Sequence, residues 1–429
     1  MEKREITIIL IILIIGAALT LKSRVYGIIF FVIIALLELF SYILIQTLRK
    51  DFQWLITPLD KYPIMDEKGL QKFIPHGYDN ELGWIRKPNT SKDEIGKYGK
   101  TTYHINKEGA RANPGHEKLK KLISVYGDSF PFGRQVNDNE TFQWHLSEST
   151  KTNVMNFAVG NYGIDQAFLR LRREYPKHKT QIVIMGVVPS TIIRILSIWK
   201  HYNEFGNIFG FKPRFIIKKG KLILIENPIN NEKKFADYKK YLPLIQKYDF
   251  FYDTKFRKEM IHSPYLVSIL SHPERNIPLI ISVSRFRWFS KKQHRGGYPA
   301  PMKRIMDINL RLRYNLFTKD KGAVLLFEAI LEEFKKFAKK HRFTPIFLFM
   351  PQKDDLLFIQ KHSQYYRDFI IESKKIIYTI DLTDYLLPRK DLDILYSDDN
   401  QYGGHYSRTA HKKIAEYIYK QLKRDKVIS

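Results

Sequence analysis

The chain has 429 residues, with 72 Lys or Arg against 44 Asp or Glu, 13 His and no Cys, and a formal charge of +28. Apolar residues make up 44% of it and aromatics 14%. That much apolar surface can offset the entropy of ordering, which excludes a disordered polyelectrolyte. The lack of Cys excludes a disulfide framework, a thiolate metal site, an iron–sulfur cluster and a Cys nucleophile. It leaves the compartment open, and no motif calls for a cofactor. The positive excess suits an anionic membrane surface, a nucleic acid or an acidic polymer.

The start of the chain favours the membrane. Ile6 to Leu21 is an uncharged apolar run, Lys22, Ser23 and Arg24 interrupt it, and Val25 to Leu48 is a second run whose only charge is Glu38. Crossing a bilayer core takes about 20 apolar residues, so the second run spans and the first lies near the lower limit. The pattern predicts a transmembrane helical hairpin over residues 1–50. The alternative for the first run is a signal peptide, with Lys3 and Arg4 ahead of the apolar stretch and Gly16, Ala17 and Ala18 within it. In the hairpin, Lys3, Arg4, Arg49 and Lys50 flank one membrane face, and Lys22 and Arg24 the other. The positive-inside rule then puts the main domain on the cytoplasmic side; a cleaved first segment would reverse this. Neither run offers Glu38 a basic partner, so it reads as a protonated carboxyl packed against the first helix rather than as a functional intramembrane site.

Residues 51–120 are polar, with scattered Pro and Gly, and read as a lead-in of loops and short strands covering the core. From residue 121 strands and helices alternate: strand Leu122–Tyr126, helix Thr141–Ser149, strand Asn153–Val159, helix Asp165–Tyr175, strand Ile182–Val188. An insertion at about 195–321 interrupts them. It carries a hairpin, Arg214–Ile217 with Lys221–Ile225, and a basic aromatic stretch, Arg285–Lys292. The alternation resumes with an amphipathic helix, Ala323–His341, strands Ile346–Met350 and Ile376–Ile380, and a last helix, Thr409–Lys423. Such alternation is the mark of a parallel sheet covered on both faces. The expected fold for 121–429 is α/β: a three-layer α/β/α, flavodoxin-like doubly wound parallel sheet.

Gly127-Asp128-Ser129 sits at the end of the first core strand, and in open α/β sheets ligands bind beyond the carboxyl ends of strands. A tight turn there would present the Ser129 hydroxyl. A Ser nucleophile needs a base. Of the 13 His, His405 stands out. It lies in Gly403-Gly404-His405-Tyr406-Ser407, after the fifth strand and before the last helix, where a loop reaches back over the sheet edge. A lone loop His is more often a surface residue; its pairing with Ser129 shifts the balance. Asp398 and Asp399 lie close enough in sequence to hold the imidazole in one tautomer.

Four regions in order resemble the SGNH (GDSL-type) hydrolases and acyltransferases. Val125-Tyr126-Gly127-Asp128-Ser129-Phe130 is similar to the first block and Asn156-Phe157-Ala158-Val159-Gly160-Asn161-Tyr162-Gly163 to the second. Gly186-Val187-Val188-Pro189-Ser190 takes the place of the third, and Gly404-His405-Tyr406-Ser407 resembles the His block. The stretch His104–Arg111 resembles a lead-in found in some members. The resemblance covers roughly 103–195 and 343–418. It implies Ser129 as nucleophile, His405 as base, and an oxyanion hole from the N–H groups of Ser129 and Asn161. The third donor is usually an Asn side chain, and that position is Ser190. The family's Asp falls three residues before the His, where this chain has Tyr402. That leaves Asp399, then Asp398, or a Ser–His dyad backed by a carbonyl.

Other candidates fail. Gly99-Lys100-Thr101 imitates the end of a phosphate-binding loop, but the earlier Gly it needs is Glu94. His201 has no second ligand at metal spacing. The Arg285–Lys292 stretch suits lipid headgroups or acidic glycans, or is a solvated basic face. The expected protein is a membrane-anchored serine esterase that cleaves an O-acyl ester on an envelope glycan or lipid through an acyl-serine intermediate. Its partners are that ester substrate and the membrane, not nucleic acid, and the oligomeric state stays open. The rivals are an O-acyltransferase to a polysaccharide hydroxyl by the same route and a non-catalytic binding module.

Overall fold

The apolar runs at the N-terminus become two helices, α1 (Lys3–Lys22) and α2 (Arg24–Phe52), in a computed structural model that describes residues 2–52, 62–204, 206–289, 300–389, 391–399 and 402–428. Both helices are long and apolar enough to cross a bilayer. They turn apolar side chains outward: Ile14 is 67% exposed and Phe40 62%. Within the described residues the chain divides into two units. One takes described parts of Met1–Ile64, Lys200–Ile208 and Asp249–Asp307; the other takes Met65–Trp199, Phe209–Tyr248 and Ile308–Ser429. The insertion is therefore shared between the units.

In the first unit, helices Tyr265–Ser271 and Pro273–Phe289 pack on α2 around Ile45, Leu48, Leu279, Ile280 and Val283. Glu38 takes a different place from the one its sequence context implied. Its carboxylate accepts from the backbone N–H groups of Tyr265 (2.7 Å) and Leu266 (2.8 Å). The first N–H groups of any helix lack intrahelical partners, and Glu38 supplies an acceptor from more than 220 residues away in the chain. Glu5 pairs with His262 at 3.1 Å and Glu2 with His272 at 2.9 Å, so α1 is also held by polar contacts. Of the basic aromatic stretch, Arg285–Phe289 ends the second of these helices, and residues 290–292 lie outside the described residues.

In the second unit, five short hydrophobic runs form one parallel sheet: β1 (Lys121–Gly127), β2 (Asn153–Asn156), β3 (Ile182–Val187), β4 (Thr344–Phe349) and β5 (Tyr378–Asp381). The order is β5-β4-β3-β1-β2, which is the flavodoxin-like arrangement. Side chains alternate across a strand, and the burial follows. Ile123, Val125, Ile184, Ile346 and Leu348 face helices α3 (Phe142–Thr150) and α7 (Arg408–Arg424), in one core with Phe142, Leu146, Ala410, Ile414 and Ile418. The opposite face, with Met185, Phe347 and Phe349, meets α4 (Ile164–Glu174), α5 (Lys321–His341) and α6 (Arg367–Ile376). There the Phe327 ring lies 5.8 Å from Phe347 and 4.4 Å from Phe369. The three-layer α/β/α fold expected from the alternation is the fold observed. The insertion separates β3 from β4, and its hairpin, Arg214–Lys218 with Lys221–Ile225, stays in this unit.

The lead-in is more ordered than its composition indicates. It holds a helix, Glu67–His76, capped by Asp66 accepting from Gly69 N–H at 2.8 Å, and a hairpin of Thr90–Gly96 with Gly99–Ile105. Gly99-Lys100-Thr101 opens the second strand of that hairpin. Arg111 is buried and donates to Asp138 (2.9 Å) and to the carbonyls of Phe132 (2.8 Å), Gly133 and Val136 (2.7 Å). It fastens the segment that follows Ser129.

Candidate active site

β1 ends at Gly127, level with Gly186 of β3. A Cβ on Gly127 would stand 1.8 Å from the Gly186 carbonyl oxygen, so only glycine lets the strands meet this closely. The chain then turns sharply. The buried Asp128 carboxylate accepts from Phe130 N–H (2.9 Å) and Val188 N–H (3.0 Å) and pairs with Arg194 at 3.0 Å. Burial pushes this carboxyl up, while Arg194 and the two N–H groups oppose the shift. Asp128 therefore ties the turn to the end of β3. Ser129 follows, 6% exposed. It stands where the strand order reverses between β1 and β3, the switch point at which such sheets bind ligands.

His405 arrives from the loop between β5 and α7. That loop needs Gly404, which adopts φ +65°; a Cβ there would lie 2.3 Å from Asp398 Oδ2 and 2.7 Å from Ser397 Oγ. His405 N–H donates to Ser397 Oγ at 2.9 Å, and the ring packs on Phe130 with centroids 5.0 Å apart. Nε2 lies 2.9 Å from Ser129 Oγ. The two residues, 276 positions apart in sequence, meet at hydrogen-bond distance.

On the other side of the ring, Nδ1 lies 3.1 Å from Oε1 of Gln135. This oxygen also accepts from the Ser397 hydroxyl (2.5 Å) and from His405 N–H (3.2 Å), which fixes which end of the amide is oxygen. Nδ1 is therefore the ring's N–H, and the Nε2 lone pair faces the Ser129 hydroxyl. Gln135 adopts φ +64°, a conformation uncommon outside glycine. It is held there by its own N–H donating to Glu94 at 2.8 Å, beside Arg134, which pairs with Glu94 at 2.7 Å. Arg111 grips the carbonyls on either side of this position.

The two candidate acids sit elsewhere. Asp398 is partly buried next to Gln135, whose amide hydrogen-bonds it; burial pushes the Asp398 carboxyl up. Asp399 pairs with Lys97 at 3.0 Å, and its side chain is 70% exposed. The ring nitrogens of His405 face Ser129 and Gln135, not either carboxylate. Tyr402, at the family's usual acid position, is buried.

Asn161 follows Gly160 in the loop after β2 and adopts φ +66°. The position a Cβ would take on Gly160 is 3.9 Å from Ser129 Cβ, so this loop borders the serine. Ser190 is engaged: its hydroxyl donates to the Gln352 side-chain oxygen and accepts from Arg313 at 3.3 Å. Arg313 is itself buried between Asp354 (2.7 Å) and Asp355 (2.8 Å).

The His405 imidazole is held well below its ordinary pKa, first by burial and then by the positive charges of Arg134, Arg194 and Arg86. It is neutral at neutral pH, the state a proton acceptor needs. His201, by contrast, is buried against Phe256 with burial pushing its pKa down to about 3. Gln135, Arg86 and Glu94 carry no sequence signal of a role here. A Gln in a polar loop looks like any surface residue, and its left-handed backbone is invisible in composition.

No family model and no curated protein matches the chain. Among solved structures it is similar to one described as a lipolytic protein of the G-D-S-L family from Desulfitobacterium hafniense, at 12% identity and TM-score 0.31, over 70% of this chain and 98% of that one. It is similar to the lipase/acylhydrolase from Enterococcus faecalis, at 10% identity and TM-score 0.34, over 71% and 96%. It is also similar to an acetyl xylan esterase, at 9% identity and TM-score 0.33, over 70% and 99%. Scores this low do not bear on activity.

Proposed function

We propose that the chain is a membrane-anchored serine esterase of the SGNH type, cleaving an O-acyl ester through an acyl-Ser129 intermediate. One observation carries this reading: the Ser129 hydroxyl stands 2.9 Å from a neutral, oriented imidazole at the switch point of the sheet.

The geometry supports the following course. His405 Nε2 takes the Ser129 proton as Oγ attacks the acyl carbonyl. The carbonyl oxygen becomes an oxyanion, received by the N–H groups of Ser129 and Asn161. Gln135 Oε1 accepts the Nδ1–H throughout, keeping the lone pair on Oγ. As the tetrahedral species collapses, the C–O bond to the alcohol breaks and His405 returns the proton to the leaving oxygen. Water then repeats the sequence in reverse, releasing the acid and restoring Ser129. With a sugar hydroxyl in place of water, the same intermediate would yield an O-acyltransferase. The orienting role usual for an Asp falls to the Gln135 carboxamide, with Asp398 behind it. Ser190, its proton directed at Gln352, supports the wall rather than serving as a free third donor.

The test is labelling and turnover. A fluorophosphonate should bond to wild-type Ser129 and not to Ser129→Ala, and hydrolysis of p-nitrophenyl acetate should fall about 1,000-fold or more in that variant. Equal turnover by the two proteins would overturn the reading.

A further inference from the structure

Beside Ser129 lies a crevice of about 450 Å³ lined by Phe73, Trp84, Arg86, Lys92, Tyr103 and Gly160 among others. Its inner wall is Arg86. The guanidinium lies 4.3 Å from the Phe132 ring centroid and 4.5 Å from that of Tyr103, and Nη1 donates to the Tyr103 hydroxyl. Its Nε is buried without a hydrogen-bond partner among the described residues. Nη2 lies 3.6 Å from the point where a Cβ would stand on Gly160, and Ser129 Cβ lies 3.9 Å from that same point. The cation and the serine thus flank one glycine.

Among the described residues no carboxylate lies within ion-pair distance of Arg86. The acid that attracts it most, Glu94, is bonded instead to Arg134 and to the Gln135 N–H. Burial and the neighbouring cations lower the Arg86 pKa to about 10, so it stays charged at neutral pH. A desolvated cation without a counter-charge is costly, and a ligand that brings the counter-charge removes that cost. The remaining wall narrows the ligand. Trp84 is fixed by its Nε1–H donating to the Gly160 carbonyl at 3.0 Å. The lining includes the rings of Phe73, Trp84 and Tyr103 together with Thr90, Ser91 and Lys92. Aromatic rings among hydroxyls and cations suit a sugar ring bearing a carboxylate better than an acyl tail, which would want an unbroken apolar wall.

We propose that this crevice holds the carboxylate of an acidic sugar, with Arg86 as its principal ligand, so that the ester cleaved at Ser129 is an O-acyl group on an acidic glycan. The inference rests on the esterase reading and names its substrate class. The experiment compares a mono-O-acetylated methyl glucuronide with its neutral glucose counterpart, using the full chain in detergent. Wild type should show kcat/KM at least about tenfold higher on the glucuronide, as expected for a charge-assisted hydrogen bond. In Arg86→Met this preference should fall to near unity. Glucuronate should also inhibit wild-type hydrolysis of p-nitrophenyl acetate competitively where glucose does not, a readout independent of whether the variant folds. Equal kcat/KM on the two acetyl sugars, with Ser129-dependent turnover intact, would overturn the acidic-glycan assignment and leave the esterase standing. Inhibition by glycerol 3-phosphate but not by glucuronate would also overturn it, in favour of a lipid headgroup. Absence of Ser129-dependent turnover on any ester would remove the esterase reading itself.

Discussion

Replacing Gln135 by Ala removes the acceptor that faces His405 Nδ1 at 3.1 Å. Both residues carry a Cβ, so the backbone cost of φ +64° is shared, and the difference is the carboxamide. A buried donor left without a partner costs about 1–3 kcal/mol, which is about 5- to 150-fold in an equilibrium. The ring would also be free to adopt the other tautomer, with its proton facing Ser129. The expected loss in kcat/KM is therefore about 10- to 100-fold, seen mostly in kcat, because the bond orients the base and not the substrate. This is less than the ~10,000-fold lost when a triad Asp becomes its amide, since a neutral carboxamide orients the ring but adds little charge stabilisation. Gln135→Glu gives the second readout. The neutral imidazole is the active form, and its pKa is depressed in the wild type. Activity should hold as pH falls from neutral and drop only below that depressed pKa. A carboxylate against Nδ1 favours the charged ring, raises its pKa and moves the drop to higher pH. The assay is the pH profile of kcat/KM on p-nitrophenyl acetate. If Gln135→Ala stays within about twofold of wild type and Gln135→Glu leaves the profile unmoved, the orienting role is wrong.

Arg111→Met should destabilise the sheet unit by about 3–5 kcal/mol, the usual cost of breaking a buried charged pair, because three carbonyls and the Asp138 carboxylate each lose a donor. The urea midpoint would report it, and a shift under ~1 kcal/mol would contradict the account. His411 is buried, with its pKa pushed down to about 3 by burial, and its Nδ1 accepts from Phe142 N–H at 3.1 Å. The unfolded chain binds the extra proton first, so stability should be full above about pH 6.5 and fall on acidification, by roughly 2 kcal/mol between pH 6.5 and pH 5. His411→Gln, which keeps an acceptor but cannot titrate, should flatten that dependence in denaturant titrations at the two pH values. The chain has no Cys, so Ser23→Cys, in the connector between α1 and α2, places a single thiol. With the charge distribution read above, a membrane-impermeant maleimide should label it from outside intact cells; protection until the membrane is opened would reverse the orientation.

The sheet was legible because each of its strands is a short apolar run beside a helix of matching length, and two-sided burial leaves such runs without a polar alternation to confuse them. Ends were less legible. Asn153–Val159 reads as one strand; the strand itself ends at Asn156, while Phe157 N–H and Val159 N–H still donate to the β1 carbonyls of Val125 and Gly127. The meeting of Ser129 with His405 was legible from position: each follows the carboxyl end of a strand of the one parallel sheet. The ring's second partner was not. A search for an acid near His405 stops at Asp398 and Asp399, whereas the acceptor is an amide on the opposite arm of the loop after Ser129, fixed by backbone geometry. Glu38 was misplaced for a related reason: its partners are backbone N–H groups, which every residue but Pro possesses and no sequence pattern marks.

The turn holding Gln135 is anchored from outside the sheet, by Glu94 and Arg111. The lead-in thus helps hold the turn whose carboxamide faces His405. A version of the chain trimmed back to the first core strand would keep the serine and the histidine, yet lose the struts that hold Gln135 against the ring.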